Sequence, residues 1–247
     1  MDLDARYCLF DLICTTGDWK RCRTQLEALV ELGGDPSGAV GILANLNAAE
    51  ERGRCWAGEI PPRLIGELDP ADQGLMETLA DALRGTSTWN QVRELAGSPT
   101  FGPGTLDGEA FEDLLTADDR LPGLLEVAVR GEYRWLWLGS VRRIEMAARP
   151  GVLRDLRWIP ARVFLLDGSV SEMSVFGFYP GTEISGDAEA KLGKRLSWQD
   201  LPDEIAFGHG PQVLWVDGEN RPLHQVKVID FTAGEGAADG SNPTAAP

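Results

Sequence analysis

Apolar positions recur at helical spacing through roughly the first hundred residues and at strand spacing after that. Leu9, Leu12, Ile13 and Thr16 share a stripe, Gly17-Asp18 breaks it, and Trp19, Cys22, Leu26, Leu29 and Val30 resume the helical period. Gly33-Gly34-Asp35-Pro36 ends this pair of helices. A third helix is expected over 38–53 with Val40, Leu43 and Leu46 inward, although Gly38, Gly41 and Gly53 each cost about 1 kcal/mol in a helix interior. Pro61-Pro62 interrupts. Asp69 as N-cap with Pro70 at the first helical position opens a fourth helix, whose stripe is Leu75, Met76, Leu79 and Leu83 and whose stop is Gly85. Thr88-Trp89-Asn90-Gln91 has the form of a capping box for a short fifth helix carrying Val92, Leu95 and Ala96.

The stretch from Gly97-Ser98-Pro99 to Gly102-Pro103-Gly104 is the clearest boundary in the chain. Beyond it, Leu125–Val129, Tyr133–Leu138, Val141–Met146, Trp158–Leu166 and Val170–Phe178 are rich in β-branched and aromatic residues and read as strands. Asp167-Gly168 predicts a hairpin between two of them, and Asp217-Gly218 predicts another between Val213–Val216 and Leu223–Phe231. Tyr133, Trp135 and Trp137 alternate and share one sheet face, where with Trp158 they are expected to build core. Leu136 and Leu138 occupy the other face, so this strand is expected to be buried on both sides. The reading is therefore α+β: a helical region over 1–97, a linker over 98–104, and a mainly antiparallel β-rich region over 105–231. Residues 232–247 are Ala, Gly, Ser and Pro with two acids and should form a disordered tail. The helix, Gly-Asp-Trp turn, helix pattern near the start resembles a single tetratricopeptide-type hairpin, without a second copy.

Composition narrows the class. The chain has 247 residues, 43% apolar and 25% charged, enough for a sizeable core. No apolar run approaches the roughly 18 residues of a membrane span, and Met-Asp-Leu-Asp-Ala-Arg is not the start of a signal peptide, so a cytoplasmic location is expected. Lys+Arg is 23 against Asp+Glu 39, a net charge of −16. That balance argues against nucleic acid and anionic membranes and suits a positively charged partner. Cys8, Cys14, Cys22 and Cys55 contain no C-x-x-C pair, and His209 and His224 lie far along the chain, so neither a zinc nor a redox motif is visible. Cys8, Cys14 and Cys22 are expected to be small buried hydrophobes on helices.

Candidate chemistry is sparse. Asp118 and Asp119 form a carboxylate pair, but neighbours on a strand point to opposite faces, and an ion pair with Arg120 or a role in a turn competes with acid–base or metal work. His209 in Phe-Gly-His-Gly-Pro has no G-x-S-x-G elbow to serve. No phosphate-binding loop or Rossmann glycine set is present. Arg142-Arg143 and Lys191 with Lys194-Arg195 are too few basic residues for a nucleic-acid surface. No catalytic, metal or cofactor residue is assigned, and no small-molecule substrate is expected.

An ordered set of residues carries a resemblance. It includes Leu9-Phe10-Asp11-Leu12, Gly17-Asp18-Trp19-Lys20-Arg21 and Gly104 to Gly108. It goes on through Asp118, Arg120, Leu121, Glu126, Gly131, Tyr133 and Trp135, then Leu153-Arg154-Asp155-Leu156, Trp158 and Pro160. Tyr179-Pro180-Gly181, Trp198 and Phe231 close it. Over about 5–231 the chain resembles the ImpE/TagJ (SciE-type) family of type VI secretion accessory proteins. Against the family pattern the chain looks shortened at its N-terminus. It has Gly208-His209-Gly210-Pro211-Gln212 where members tend to carry Gly-x-Gly-Gln-Arg, and Thr116-Ala117-Asp118 where they often show Asp-Ala-Asp. The resemblance implies a non-enzymatic cytoplasmic adaptor that binds the N-terminal helix of the small sheath subunit and is linked to sheath disassembly by the ClpV ATPase. Leu12, Trp19 and Leu26 are the candidates for gripping that helix. Asp118, Arg120, Glu126, Tyr133, Trp135, Arg154, Asp155, Trp158, Pro160, Tyr179, Pro180 and Trp198 are the family-motif positions, read as structural. The alternatives are a general protein-binding scaffold without a secretion role, or a hydrolase using Asp118, Asp119 or His209.

Overall fold

Aspartates start the first three helices. The Asp2 side chain accepts from the Asp4 N–H at the head of α1 (Leu3–Cys14). Asp18 accepts from Arg21 N–H at 3.0 Å to begin α2 (Trp19–Glu31). Asp35 accepts from both Ser37 and Gly38 N–H at 2.9 Å to begin α3 (Pro36–Trp56). Each satisfies backbone donors that a helix start leaves without partners. After α3 the chain forms the two-residue strand β1 (Leu64–Ile65), then α4 (Gln73–Leu83) and α5 (Trp89–Ala96). The capping box at α5 is present: Gln91 N–H donates to Thr88 Oγ1, and Thr88 N–H donates to Gln91 Oε1 at 2.9 Å. This computed structural model describes residues 2–66, 73–97, 99–147, 152–201 and 205–231. The expected Asp69-Pro70 start of α4, Ser98 of the linker and the tail from 232 lie outside the described residues.

The rest of the chain is β2 (Gly104–Leu106), β3 (Glu109–Phe111), β4 (Leu114–Thr116), β5 (Leu124–Val129), β6 (Glu132–Trp137), β7 (Val141–Met146), α6 (Leu153–Arg157), β8 (Trp158–Leu165) and β9 (Val170–Phe176). Then come α7 (Ala188–Lys191), β10 (Ser197–Leu201), β11 (Ile205–His209), β12 (Val213–Val216), β13 (Glu219–Pro222) and β14 (Val228–Asp230). Among the described residues, nine strands form one sheet in the order β1-β6-β5-β9-β8-β7-β14-β2-β3. Its pairings are antiparallel except β1 with β6, which is parallel. A three-stranded sheet, β13-β12-β4, and a two-stranded ribbon, β10-β11, complete the β structure. The architecture is α+β with a large, mostly antiparallel sheet. β5 and β6 are joined by Arg130-Gly131, both at positive φ (52° and 86°), the two-residue turn whose twist matches a hairpin.

The two faces of the large sheet bury different side chains. One face carries Tyr133, Trp135, Trp137, Trp158 and Phe176 against Phe10, Leu26, Leu46, Ala49 and Leu79 of the helices. The other carries Leu125, Val127, Leu136, Ile159, Val163 and Val175 against Leu114, Leu214 and Val216 of the small sheet. β6 is thus buried on both sides, as its alternation predicts.

Three expectations are corrected. On α1 the buried residues are Phe10, Ile13 and Cys14, whereas Leu9 and Leu12 face solvent, as does Cys8. This helix is apolar on more than one arc, so periodicity alone does not choose the buried one. α3 is longer than 38–53, and Val40 (69% exposed) and Leu43 point outward. Leu46, Ala48, Ala49, Arg52 and Cys55 are its buried residues, because a charged residue with a buried partner fills part of the core arc. Leu223–Phe231 is not one strand. The Asp217-Gly218 turn pairs β12 with Glu219–Pro222, after which Leu223–Gln225 makes a 3-10 turn and Val228–Asp230 joins the large sheet between β7 and β2.

Candidate partner-binding groove

Small residues decide how closely α3 approaches the sheet. A Cβ on Gly131 would already lie 3.6 Å from Ala44 Cα, so the β5–β6 turn rests directly on the helix. Beside this contact a trough runs between α3 and the sheet, made of two adjoining cavities of about 490 Å³ and about 410 Å³. Gly41, Asn45, Pro160 and Ser174 line both. One end reaches Arg130, Glu145, Arg162 and Glu172; the other reaches Tyr7, Asp35, Arg154 and Asp155. Val40 and Leu43 lie exposed on the same helix. The trough therefore has a small-residue floor, Ile42, Met146 and Trp158 as apolar lining, and charges of both signs at its ends. That combination admits a side-chain-bearing segment of another chain.

Behind the trough, α3 is fixed to the sheet by a buried ion pair. Arg52 Nε donates to Glu126 Oε1 at 2.8 Å, and Arg52 Nη2 donates to Glu126 Oε2 and, at 2.7 Å, to the Phe178 carbonyl. Glu126 Oε1 also accepts from Trp56 Nε1 at 2.8 Å and from Tyr133 OH at 2.5 Å. The Arg52 guanidinium lies 4.6 Å over the Phe176 ring. Arg52 is 5% exposed and Glu126 0%. Burial alone would push the Arg52 guanidinium down, but the Glu126 carboxylate raises it above its ordinary value. Burial, and then Glu126, push the Tyr133 hydroxyl well up, so it stays a neutral donor. Gln212 donates to Glu126 Oε2 and to the Phe178 carbonyl, both at 3.3 Å.

The other singled-out residues are placed as follows. Asp118 accepts from Arg120 Nε at 2.9 Å and Nη2 at 2.7 Å, and from the Arg120 and Gly208 N–H groups. Arg120 is held between the rings of Phe207 and Trp56, at 4.3 and 4.9 Å. Asp119 accepts from Ala206 N–H at 2.8 Å. His209 packs edge-on to Phe207, and burial, then Arg120, lower its imidazole pKa. These groups are neighbours, but both carboxylates are already engaged, and among the described residues no hydrogen bond joins either to His209. Arg154 pairs with Asp11 at 3.0 Å, and Asp155 is buried. Trp158 meets Trp19 at 6.2 Å between ring centres. Pro160 lines the trough, while Pro180 is buried. Tyr179 is buried with its hydroxyl on Val213 N–H, and Trp198 lies against it, partly exposed. Leu12 is 52% exposed, Trp19 half-buried and Leu26 buried, so the three do not form one surface. Sequence reasoning missed the trough itself; its signal is the run of small residues Gly38, Gly41 and Ala44, of which the two glycines enter the sequence reading only as a cost to the helix.

Comparison with known proteins gives the chain's family. The family described as ImpE protein matches residues 108–230. Over 230 residues the chain is 30% identical to the type VI secretion system accessory component TagJ of Pseudomonas aeruginosa, spanning 92% of this chain and 80% of that one. The crystal structure of protein VPA1032 from Vibrio parahaemolyticus superposes with a TM-score of 0.74 at 22% identity, covering 93% of this chain and 86% of that one, and shares the fold. On the strength of the alignment with TagJ, the chain belongs to the ImpE/TagJ family.

Proposed function

We propose that this chain is a non-enzymatic accessory factor of a bacterial type VI secretion machine, acting in the cytoplasm by holding a segment of another protein. The relative named TagJ is a type VI secretion accessory component, which supports the machine. No described helix is long and apolar enough to cross a membrane, which is compatible with that location. The observation that carries the binding role is the trough between α3 and the sheet, with its small-residue floor and its charges of both signs at the ends. Its occupant in this reading is the N-terminal helix of the small sheath subunit, and through it the chain is linked to sheath disassembly by the ClpV ATPase. An amphipathic helix set into a groove is a recurrent way of recognising a peptide. Leu12 is the one of the three gripping candidates that is free to touch a partner; Trp19 and Leu26 would shape the helical support.

Gly41 offers a clean test. A Cβ there meets nothing within 4 Å, so Gly41→Trp fills the trough without disturbing the core. A labelled peptide with the sequence of the cognate sheath helix should bind the unaltered chain, and Gly41→Trp should weaken it at least about tenfold, or ~1.4 kcal/mol. Leu12→Asp tests the outer face of α1 in the same titration. No binding by the unaltered chain removes the sheath reading. Binding lost through Leu12→Asp but unchanged in Gly41→Trp moves the site from the trough to α1.

A further inference from the structure

The helical hairpin holds two thiols against each other. Cys14 closes α1 and Cys22 lies in the first turn of α2, and their sulfurs are 3.5 Å apart, both buried. A disulfide needs about 2.05 Å between sulfurs, so the pair has about 1.5 Å to close. The join between the helices turns at Gly17, where φ is +72° and both flanking residues, Thr16 and Asp18, are exposed. Helix ends of this kind open locally at low cost, which admits a small reagent to thiols that are covered on average.

We propose that Cys14 and Cys22 are a dithiol site that closes to an intramolecular disulfide on reaction with a low-molecular-weight disulfide. Cys22 is the attacking thiol. The sulfur–sulfur hydrogen bond with Cys14 lowers the Cys22 pKa even against burial, and Cys22 lies in the first turn of α2, where the helix dipole favours a thiolate. Cys14 is correspondingly raised, first by that hydrogen bond and then by burial. Cys22 Sγ attacks one sulfur of the reagent, RSSR, forming a Cys22–SR bond and expelling RS⁻, which takes the Cys22 proton. Cys14 Sγ then attacks Cys22 Sγ, forming the bridge and expelling the second RS⁻, which takes the Cys14 proton. Two protein thiols are oxidised and one disulfide is reduced to two RSH. The other two cysteines are placed differently. Cys8 is exposed on the outer arc of α1, and Cys55 is buried in α3 with its thiol pushed up to about 12, chiefly by burial.

The test treats the full chain with glutathione disulfide, blocks remaining thiols with iodoacetamide under denaturing conditions, and digests with trypsin. Cleavage at Lys20 and Arg21 separates the two cysteines, so a bridge appears as one cross-linked species that falls apart on reduction. The expected result is two of the four thiols protected, joined as Cys14–Cys22 and restored by dithiothreitol. Cys8→Ser should leave the bridge unchanged, which keeps the test independent of whether altering the buried pair harms folding. In Cys14→Ser the reaction should stop with glutathione on Cys22. Alkylation of both Cys14 and Cys22 after treatment, or protection confined to Cys8, overturns the proposal.

Discussion

The two faces of the large sheet are held by different kinds of force. The face towards the small sheet is aliphatic: Leu125, Val127, Leu136, Ile159, Val163 and Val175 pack with Leu114 and Leu214. Burial of such groups is non-directional and scales with the area removed from water. The face towards the helices is aromatic and contains the Arg52–Glu126 pair with the Trp56, Tyr133 and Gln212 donors. Bonds of that kind fix angles and registers, and they punish the loss of one partner far more than the loss of both. The comparison teaches that the helical layer is not merely stuck to the sheet. It is set at a defined height and rotation, and that setting leaves the trough open along α3.

The largest expected effect comes from removing one half of the ion pair. Arg52→Ala leaves Glu126 buried without its cation and should destabilise the chain by about 3–5 kcal/mol, read by urea unfolding. On the aliphatic face, Leu136→Ala should cost about 2–5 kcal/mol through transfer and cavity terms, whereas Leu136→Met should cost under about 1.5 kcal/mol. A graded response there against an abrupt one at Arg52 is what the contrast requires; equal gradation at both sites breaks it. A sharper form is the double-mutant cycle. Arg52→Met and Glu126→Gln together should lose less than the two single losses summed, by on the order of 0.5–3 kcal/mol. Simple additivity would show that the pair is not acting as a unit.

The smallest effect is a pH dependence. Burial lowers the pKa of both His209, which belongs to the helix-side neighbourhood through Arg120, and His224. Unfolded histidine takes up its proton near pH ~6.5, and the folded groups do so only at lower pH. The unfolded state therefore binds more protons in that interval. The stability from these two groups is full above pH ~6.5 and is lost as the pH falls through it. The melting temperature should decline modestly on acidification from pH ~7.5, and less so in His209→Asn.

Legibility followed the range of the interactions. Local signals carried far: the Thr88–Gln91 capping box, the Asp167-Gly168 hairpin and the alternation of Tyr133, Trp135 and Trp137 are all read from adjacent residues and all have counterparts in the fold. The Arg52–Glu126 pair spans 74 positions, and nothing in either local sequence points to the other. Of the three residues expected inward on α3 only Leu46 is buried, and part of the buried arc is taken by Arg52, which helical periodicity of apolar residues does not register. The Cys14–Cys22 contact was hidden for a related reason. A separation of eight matches no thiol motif, and it becomes a contact only once a turn folds one helix back on the other. The trough was hidden because a cavity is made by side chains that are absent, and glycine registers in a sequence as a weak helix former before it registers as space.

Leu64 and Ile65 have an importance out of proportion to their number. They pair in parallel with Trp135 and Leu136, and Arg63 supplies a carbonyl to the Trp135 N–H at 2.8 Å. A fragment truncated to begin after them would strip the outer margin of the sheet and leave a raw row of main-chain donors and acceptors beside uncovered tryptophans. Such a fragment is expected to self-associate margin to margin when expressed alone. The β-rich region thus takes its outermost strand, as well as helical cover, from the first 65 residues.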